Sequence, residues 1–153
     1  MNNNDVLRRL RFALDIVDRD LLELFDAAGV VATPDLLRGW MLREDDPEMI
    51  PCHDEALGGL LDAIIRKRRG PPPSDSSRPA NPLSNNEVLK KLRIALALRE
   101  ADMIELLRRG GHPLSKAELG GLLRPPGHKH FRPCGDQFMR AFFRGLTEQR
   151  RGV

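Results

Sequence analysis

The sequence predicts an all-α protein made of two tandem copies of a four-helix unit, and three observations carry that prediction. First, NNDVLRRLRFAL from Asn3 recurs as NNEVLKKLRIAL from Asn85, and the offset of 82 residues then holds without a gap to the end of the chain. Gly29 matches Gly111, Gly39 matches Gly121, Pro51-Cys52 matches Pro133-Cys134, and Asp54 matches Asp136. Arg68-Arg69-Gly70 matches Arg150-Arg151-Gly152. An unbroken register of this length marks two copies of one fold. Second, apolar residues recur at helical spacing in each copy, and no stretch alternates apolar and polar residues as a half-buried strand would. Third, GPPPSDSSRPANPL between the copies is rich in Pro and Ser and has no apolar periodicity, the composition of an exposed linker. The chain therefore divides into a first repeat at 1–70, a linker at 71–82 and a second repeat at 83–153.

In the first helical segment Val6, Leu10, Ala13, Leu14 and Val17 follow the helical period. Leu7, Phe12 and Ile16 widen the apolar arc and leave a narrow polar strip of Arg8, Arg11 and Asp15. That pattern predicts a central, mostly buried helix. In the second copy Ser84 and Glu87 have the spacing of a capping box. The second segment, from about Arg19 to Ala28, turns Leu21, Leu22, Phe25 and Ala28 inward. Gly29 and Gly111 suit the left-handed residue that closes such a helix. The third opens with Thr33-Pro34, a hydroxyl cap and a proline at the first helical position. Its counterpart opens with Ser115 and Glu118, another capping box. Leu36, Leu37, Trp40 and Met41 form its inner face. The fourth starts near Cys52, carries Leu57, Leu60, Leu61, Ile64 and Ile65, and ends in arginines that complement the helix dipole. Met139, Phe142, Phe143 and Leu146 hold the same stripe in copy two. A unit of some 70 residues has a marginal core, so the copies are expected to pack together or to dimerise.

Composition narrows the function classes. Apolar residues make up 41% of the chain, enough for a core. No apolar run approaches the roughly 20 residues of a spanning helix, and the N-terminus lacks a signal layout, so a cytoplasmic protein with no membrane partner is expected. Two cysteines in 153 residues are no disulfide framework. With six Phe, one Trp and no Tyr, the chain is poor in base-stacking rings. The net charge of +3 conceals a split. Residues 1–70 carry 10 Lys and Arg against 14 Asp and Glu, net −4, whereas residues 83–153 carry 14 against 7, net +7. Such asymmetry points to docking of one half on the other, or to an anionic partner for the basic half.

The basic half supplies the candidate contacts. Arg8, Arg9 and Arg11 match Lys90, Lys91 and Arg93. Asp15 is placed to neutralise Arg11 four residues away, but its counterpart is Ala97. The loop before the fourth helix repeats the contrast: REDDPEMI is net −3, and RPPGHKHFR is net +3 from Arg124, Lys129 and Arg132. Lys90, Lys91, Arg93, Arg124, Lys129 and Arg132 are thus the candidate phosphate or partner contacts. The competing reading is a solvated face, or docking of the basic loop on the acidic one.

Other constellations read as structure. LLELFDAAGVVATPDLLRGW orders helix, turn and capped helix like a helix-turn-helix, but its turn is long and its second helix presents only Arg38 and Arg43 as donors, so it reads as a helical hairpin. His128, His130 and Cys134 form H-x-H-x3-C, with His112 elsewhere in the copy. This is not a zinc spacing, and Lys129 and Arg132 repel a cation. No metal or cofactor is expected. There is no phosphate-cradling glycine loop and no nucleophile–base layout, and a Cys134–His128 pair reads first as packing, so no catalytic residue is assigned.

The duplicated NNDVLRRLRFALDI and NNEVLKKLRIALALREADMIELL, with PGHKHFRPCGDQFMRAFFRGL from Pro126 to Leu146, resemble the YehS-like family of bacterial proteins of unknown function. The resemblance covers both repeats. It implies a duplicated all-helical bacterial cytosolic protein and brings no activity, substrate or catalytic residue; His130 departs from the polar residue expected at its place. The leading expectation is a non-enzymatic binding protein that contacts DNA or RNA through the basic second repeat. The alternative is a protein–protein adaptor or homo-oligomer whose charge asymmetry serves docking.

Overall fold

A computed structural model describes residues 1–71 and 83–152. It contains α1 (Asn3–Leu14), α2 (Asp18–Ala27), α3 (Pro34–Trp40), α4 (Asp54–Arg69), α5 (Asn85–Ala95), α6 (Glu100–Arg109), α7 (Lys116–Leu123) and α8 (Asp136–Arg151). Among the described residues there is no strand, and the chain is all-α with four helices in each repeat. No helix is long and apolar enough to cross a membrane. The linker predicted at 71–82 lies outside the described residues, apart from Pro71.

Local chemistry accounts for most helix ends. Thr33 caps α3 by accepting from the Leu36 amide at 3.1 Å, ahead of Pro34. Ser115 and Glu118 form the reciprocal capping box at the start of α7. Ser84 caps α5 through the Glu87 amide at 3.1 Å, but the return half of the expected box is missing, because Glu87 turns to Lys90 instead. Asn2 and Asp5 form a capping box on α1 that the sequence reading overlooked. Gly29 and Gly111 take positive φ after α2 and α6, as expected.

The first helix departs from expectation. It ends at Leu14, because Asp15 adopts a left-handed conformation at φ 54°. Val17 therefore starts the next turn, and Phe12 lies on the outer face, 52% exposed. Leu7 and Leu10 are fully buried, so the helix is half wrapped, not enclosed.

The repeats exchange partners. Helix α1 packs chiefly along α8 of the second repeat, and α5 packs along α4 of the first. Within each repeat α2 and α6 lie against α4 and α8. The two inter-repeat contacts are equivalent under the 82-residue offset, so the repeats are related by an approximate twofold axis. Their buried apolar side chains merge into a single core, with Trp40, Phe25, Phe142 and Phe143 among the largest. Gly110 and Gly145 let α6 and α8 approach closely: a Cβ at Gly145 would lie 1.9 Å from the Leu106 carbonyl oxygen.

Candidate anion-binding groove

The repeated Asn-Asn pair fixes the loop before each fourth helix. Asn4 and Asn86 are the buried polar residues of the core. Asn86 Nδ2 donates to the Leu122 and Arg132 carbonyls at 2.9 and 2.8 Å, and its Oδ1 accepts from the Cys134 amide at 2.9 Å. Asn4 Nδ2 donates to the Ile50 carbonyl at 2.9 Å and its Oδ1 accepts from the Cys52 amide at 2.8 Å. The neighbouring Asn3 and Asn85 donate to the Cys52 and Cys134 carbonyls, each at 2.9 Å. Gly39 and Gly121 complete the clasp, because a Cβ there would strike Ile50 and Arg132. Cys52 and Cys134 are buried within this clasp, and burial followed by the adjacent Asp54 or Asp136 pushes each thiol up to about 12. Both are therefore protonated at neutral pH, which removes the thiolate that a nucleophile needs.

Each fourth-helix aspartate also joins the repeats. Asp54 accepts from its own Asn3 at 2.8 Å and from the Leu83 amide of the other repeat at 3.0 Å. Asp136 accepts from Asn85 at 3.0 Å and from the amine of Met1. Both carboxyls are held below the usual carboxylate range: Asp54 chiefly by Asn3 and then the Leu83 amide, Asp136 chiefly by the amine and then Asn85. Because the amine meets the start of α8 while Arg151 meets Asp15 at 3.0 Å past the end of α1, these two helices run parallel.

Of the six candidate cations, Arg124 and Arg132 line one groove together with Lys116, Glu100, Glu118 and His130. Lys91 forms an ion pair with Asp62 of α4 at 2.5 Å and joins the repeats. Lys90 donates to the Arg124 carbonyl at 3.2 Å and lies 3.6 Å from Glu87, just as Arg8 donates to the Leu42 carbonyl at 2.9 Å. Arg93 is half-buried and its Nε finds no partner. Arg132 lies over Gly121 and reaches Glu118 at 3.4 Å. Arg124 and Lys129 are exposed, and Arg124 Nη1 lies 3.2 Å from His128 Nε2. The expected Arg11–Asp15 pair is absent. Arg11 pairs with Asp18 at 2.7 Å and Asp15 with Arg151, because Asp15 has left the helix. Arg38 pairs with Asp35 on its own short helix. His128 accepts from the His130 amide, His112 stacks edge-on against Phe138, and Cys134 is buried. Among the described residues no group of His, Cys, Asp or Glu is placed to hold a metal.

Another cationic cluster was not among the candidates. A groove of about 740 Å³ runs between α1, α8 and the loop after α3. Arg8, Arg9, Arg43, Arg140 and Arg144 line it together with Asp5, Glu44 and Asp45, and Phe12 of α1 and Thr147 of α8 also line it. Arg8 is held by Asp5, and Arg140 lies 4.0 Å from Asp136. Arg144 donates to the Gly110 carbonyl at 2.6 Å. Among the described residues, no carboxylate lies within ion-pair distance of Arg9 or Arg144. The Arg9 guanidinium is lowered from its ordinary pKa by burial first, opposed by Asp5, with Arg140, Arg8 and Arg144 adding repulsion. The twofold offset supplies an internal comparison. Arg9 corresponds to Lys91, Arg144 to Asp62 and Arg140 to Gly58. Where one groove is closed by the Lys91–Asp62 pair, the other brings arginines together. A second cationic pole lies at the ends of α4 and α8. There Arg66, Lys67, Arg68, Arg69 and Arg150 are exposed, and Arg150 is lowered by burial and then by the proximity of Arg68.

The chain is 38% identical over 151 residues, 96% of its own length and 95% of the relative's, to a protein named "Uncharacterized protein YehS" from Escherichia coli (strain K12). No solved structure matches it. The family model described as "Protein of unknown function (DUF1456)" matches residues 3–70 and again residues 85–152, so the chain belongs to that family and carries two copies of its domain.

Proposed function

We propose that this chain is a non-enzymatic binding protein that contacts the phosphate backbone of a nucleic acid. The observation that supports this reading is the pole formed by Arg66, Arg68, Arg69 and Arg150, all exposed, with Arg68 and Arg150 close enough to repel. Helix-end cations ordinarily complement the dipole of their own helix. Bringing two such ends together adds repulsion that an anionic partner relieves. Arg124 and Lys129 of the second repeat are exposed on the loop before α8, whereas Lys91 serves the junction between repeats. The second repeat thus contributes Arg150 to the contact, and the first contributes the end of α4.

The test is polynucleotide binding measured against salt. Replacing Arg68 and Arg150 with Gln weakens binding across sequences. Each lost phosphate contact flattens the slope of log affinity against log salt by about 0.7–0.9, since fewer counterions are released. No polynucleotide binding at low salt refutes the reading. Binding unchanged by these substitutions refutes this placement of the surface. The adaptor alternative draws on the Lys91–Asp62 and Arg151–Asp15 pairs, in which opposite charges join the repeats within one chain. It predicts a concentration-dependent oligomer in sedimentation experiments.

A further inference from the structure

We propose that the groove between α1 and α8 is a separate site for a phosphate monoester, gripped by Arg9, Arg140 and Arg144. The twofold relation makes the case. Had the groove only a packing role, the Lys91–Asp62 solution of its counterpart would serve equally well. Instead an arginine stands in the place of Asp62 and lines the same groove as Arg9, with a third on the preceding turn of α8. Converging guanidiniums raise the energy of the empty groove and lower that of an occupied one. Guanidinium forks grip phosphate oxygens in pairs. The groove is open to solvent, and its volume is in the range of small-molecule sites. A compact dianion on a small organic group fits it better than a continuous backbone does. Phe12, half-exposed beneath the Arg151 guanidinium at 4.3 Å from its ring centroid, offers that organic group an apolar wall. The terminal phosphate of a nucleic-acid strand and a free nucleotide share this chemistry.

The experiment uses the full chain with three probes at matched ionic strength: inorganic phosphate, AMP, and a short oligonucleotide with either a 5′-phosphate or a 5′-hydroxyl. Thermal shift and calorimetry give the affinities. AMP binding identifies a free phosphoester as a source, and preference for the 5′-phosphate identifies the strand end; either result supports the site. Arg144→Asp copies the opposite groove and allows an ion pair with Arg9 in exchange for the hydrogen bond to the Gly110 carbonyl, and it loses affinity about tenfold or more. Arg9→Gln weakens binding without adding a negative charge, and Asp62→Asn in the other groove leaves it unchanged. Stabilisation by chloride equal to that by phosphate and AMP overturns the proposal. So does binding by both arginine variants within about twofold of the parent. The outcome is separable from the backbone reading: failure of 5′-hydroxyl polynucleotides to bind refutes that reading and leaves the monoester site intact.

Discussion

Replacing Asn86 with Ala tests the clasp on which both grooves depend. Asn86 is 4% exposed and makes three hydrogen bonds, two as donor to the Leu122 and Arg132 carbonyls and one as acceptor from the Cys134 amide. Alanine removes all three and leaves the backbone groups without their side-chain partner. A net hydrogen bond contributes about 1 kcal/mol, and a buried orphan costs about 1–3 kcal/mol. Three such losses amount to about 3–5 kcal/mol. Alanine's better helix propensity returns about 0.6 kcal/mol of that. Asn4 makes two equivalent bonds, to the Ile50 carbonyl and from the Cys52 amide. Its replacement therefore costs about 1 kcal/mol less than that of Asn86. Urea unfolding at neutral pH, with a shared slope, reads the difference from the midpoints. Asn86→Asp keeps the shape but turns a carboxylate toward two carbonyls, and is at least as damaging. Losses below about 1 kcal/mol at both positions, or a larger loss at Asn4 than at Asn86, refute the clasp.

Two further outcomes follow from local geometry. Ala97 holds φ 54°, where an L-residue is strained, so Ala97→Gly stabilises by up to about 1 kcal/mol after the entropy of glycine is set against the relief; a lower melting temperature contradicts the left-handed assignment. Asp54 and Asp136 are held below the ordinary carboxylate range in the fold, so they add stability above about pH 4 that is lost as pH falls through their folded values. Melting temperature measured from pH 7 down to pH 3 checks this, with Asp54→Asn and Asp136→Asn flattening the acid limb; an unaltered limb in both variants contradicts the assignment.

What was legible in the sequence was local. The 82-residue register is a direct match of sequence to sequence, and the Thr33 and Ser115 caps and the stripe from Leu57 to Ile64 depend on neighbours a turn apart. Apolar spacing says which face of α1 is buried, but not whether its partner is α4 of the same repeat or α8 of the other. The swap therefore had no sequence signal of its own. The Arg11–Asp15 expectation failed for a related reason: i,i+4 pairing presumes a continuing helix, and Asp15 turns left-handed one residue past its end. The Asn-Asn pair was visible as a repeat, but its burial depends on a loop returning from nearly fifty residues away. The arginine groove draws on helices from both repeats. Only the exchange of Asp62 for Arg144 at matching positions marked it, and that exchange gains meaning once α1 is known to lie on α8.

Duplication within one chain permits what a dimer of single repeats does not. In a twofold dimer each contact occurs twice in identical form, so a groove closed by an ion pair on one side is closed on the other. Here the two grooves have diverged. Lys91 and Asp62 pair across one junction, while Arg9, Arg140 and Arg144 line the groove at the other. The paired side stabilises the junction and the shared core, and that core keeps the repulsive side in place. Repulsion among the arginines is tolerable because α1 is also anchored at both ends, by the Met1 amine on Asp136 and by Asp15 on Arg151. Groove geometry is thus set largely at the two ends of α1, and among the described residues Arg9 and Arg144 have no carboxylate within ion-pair distance there.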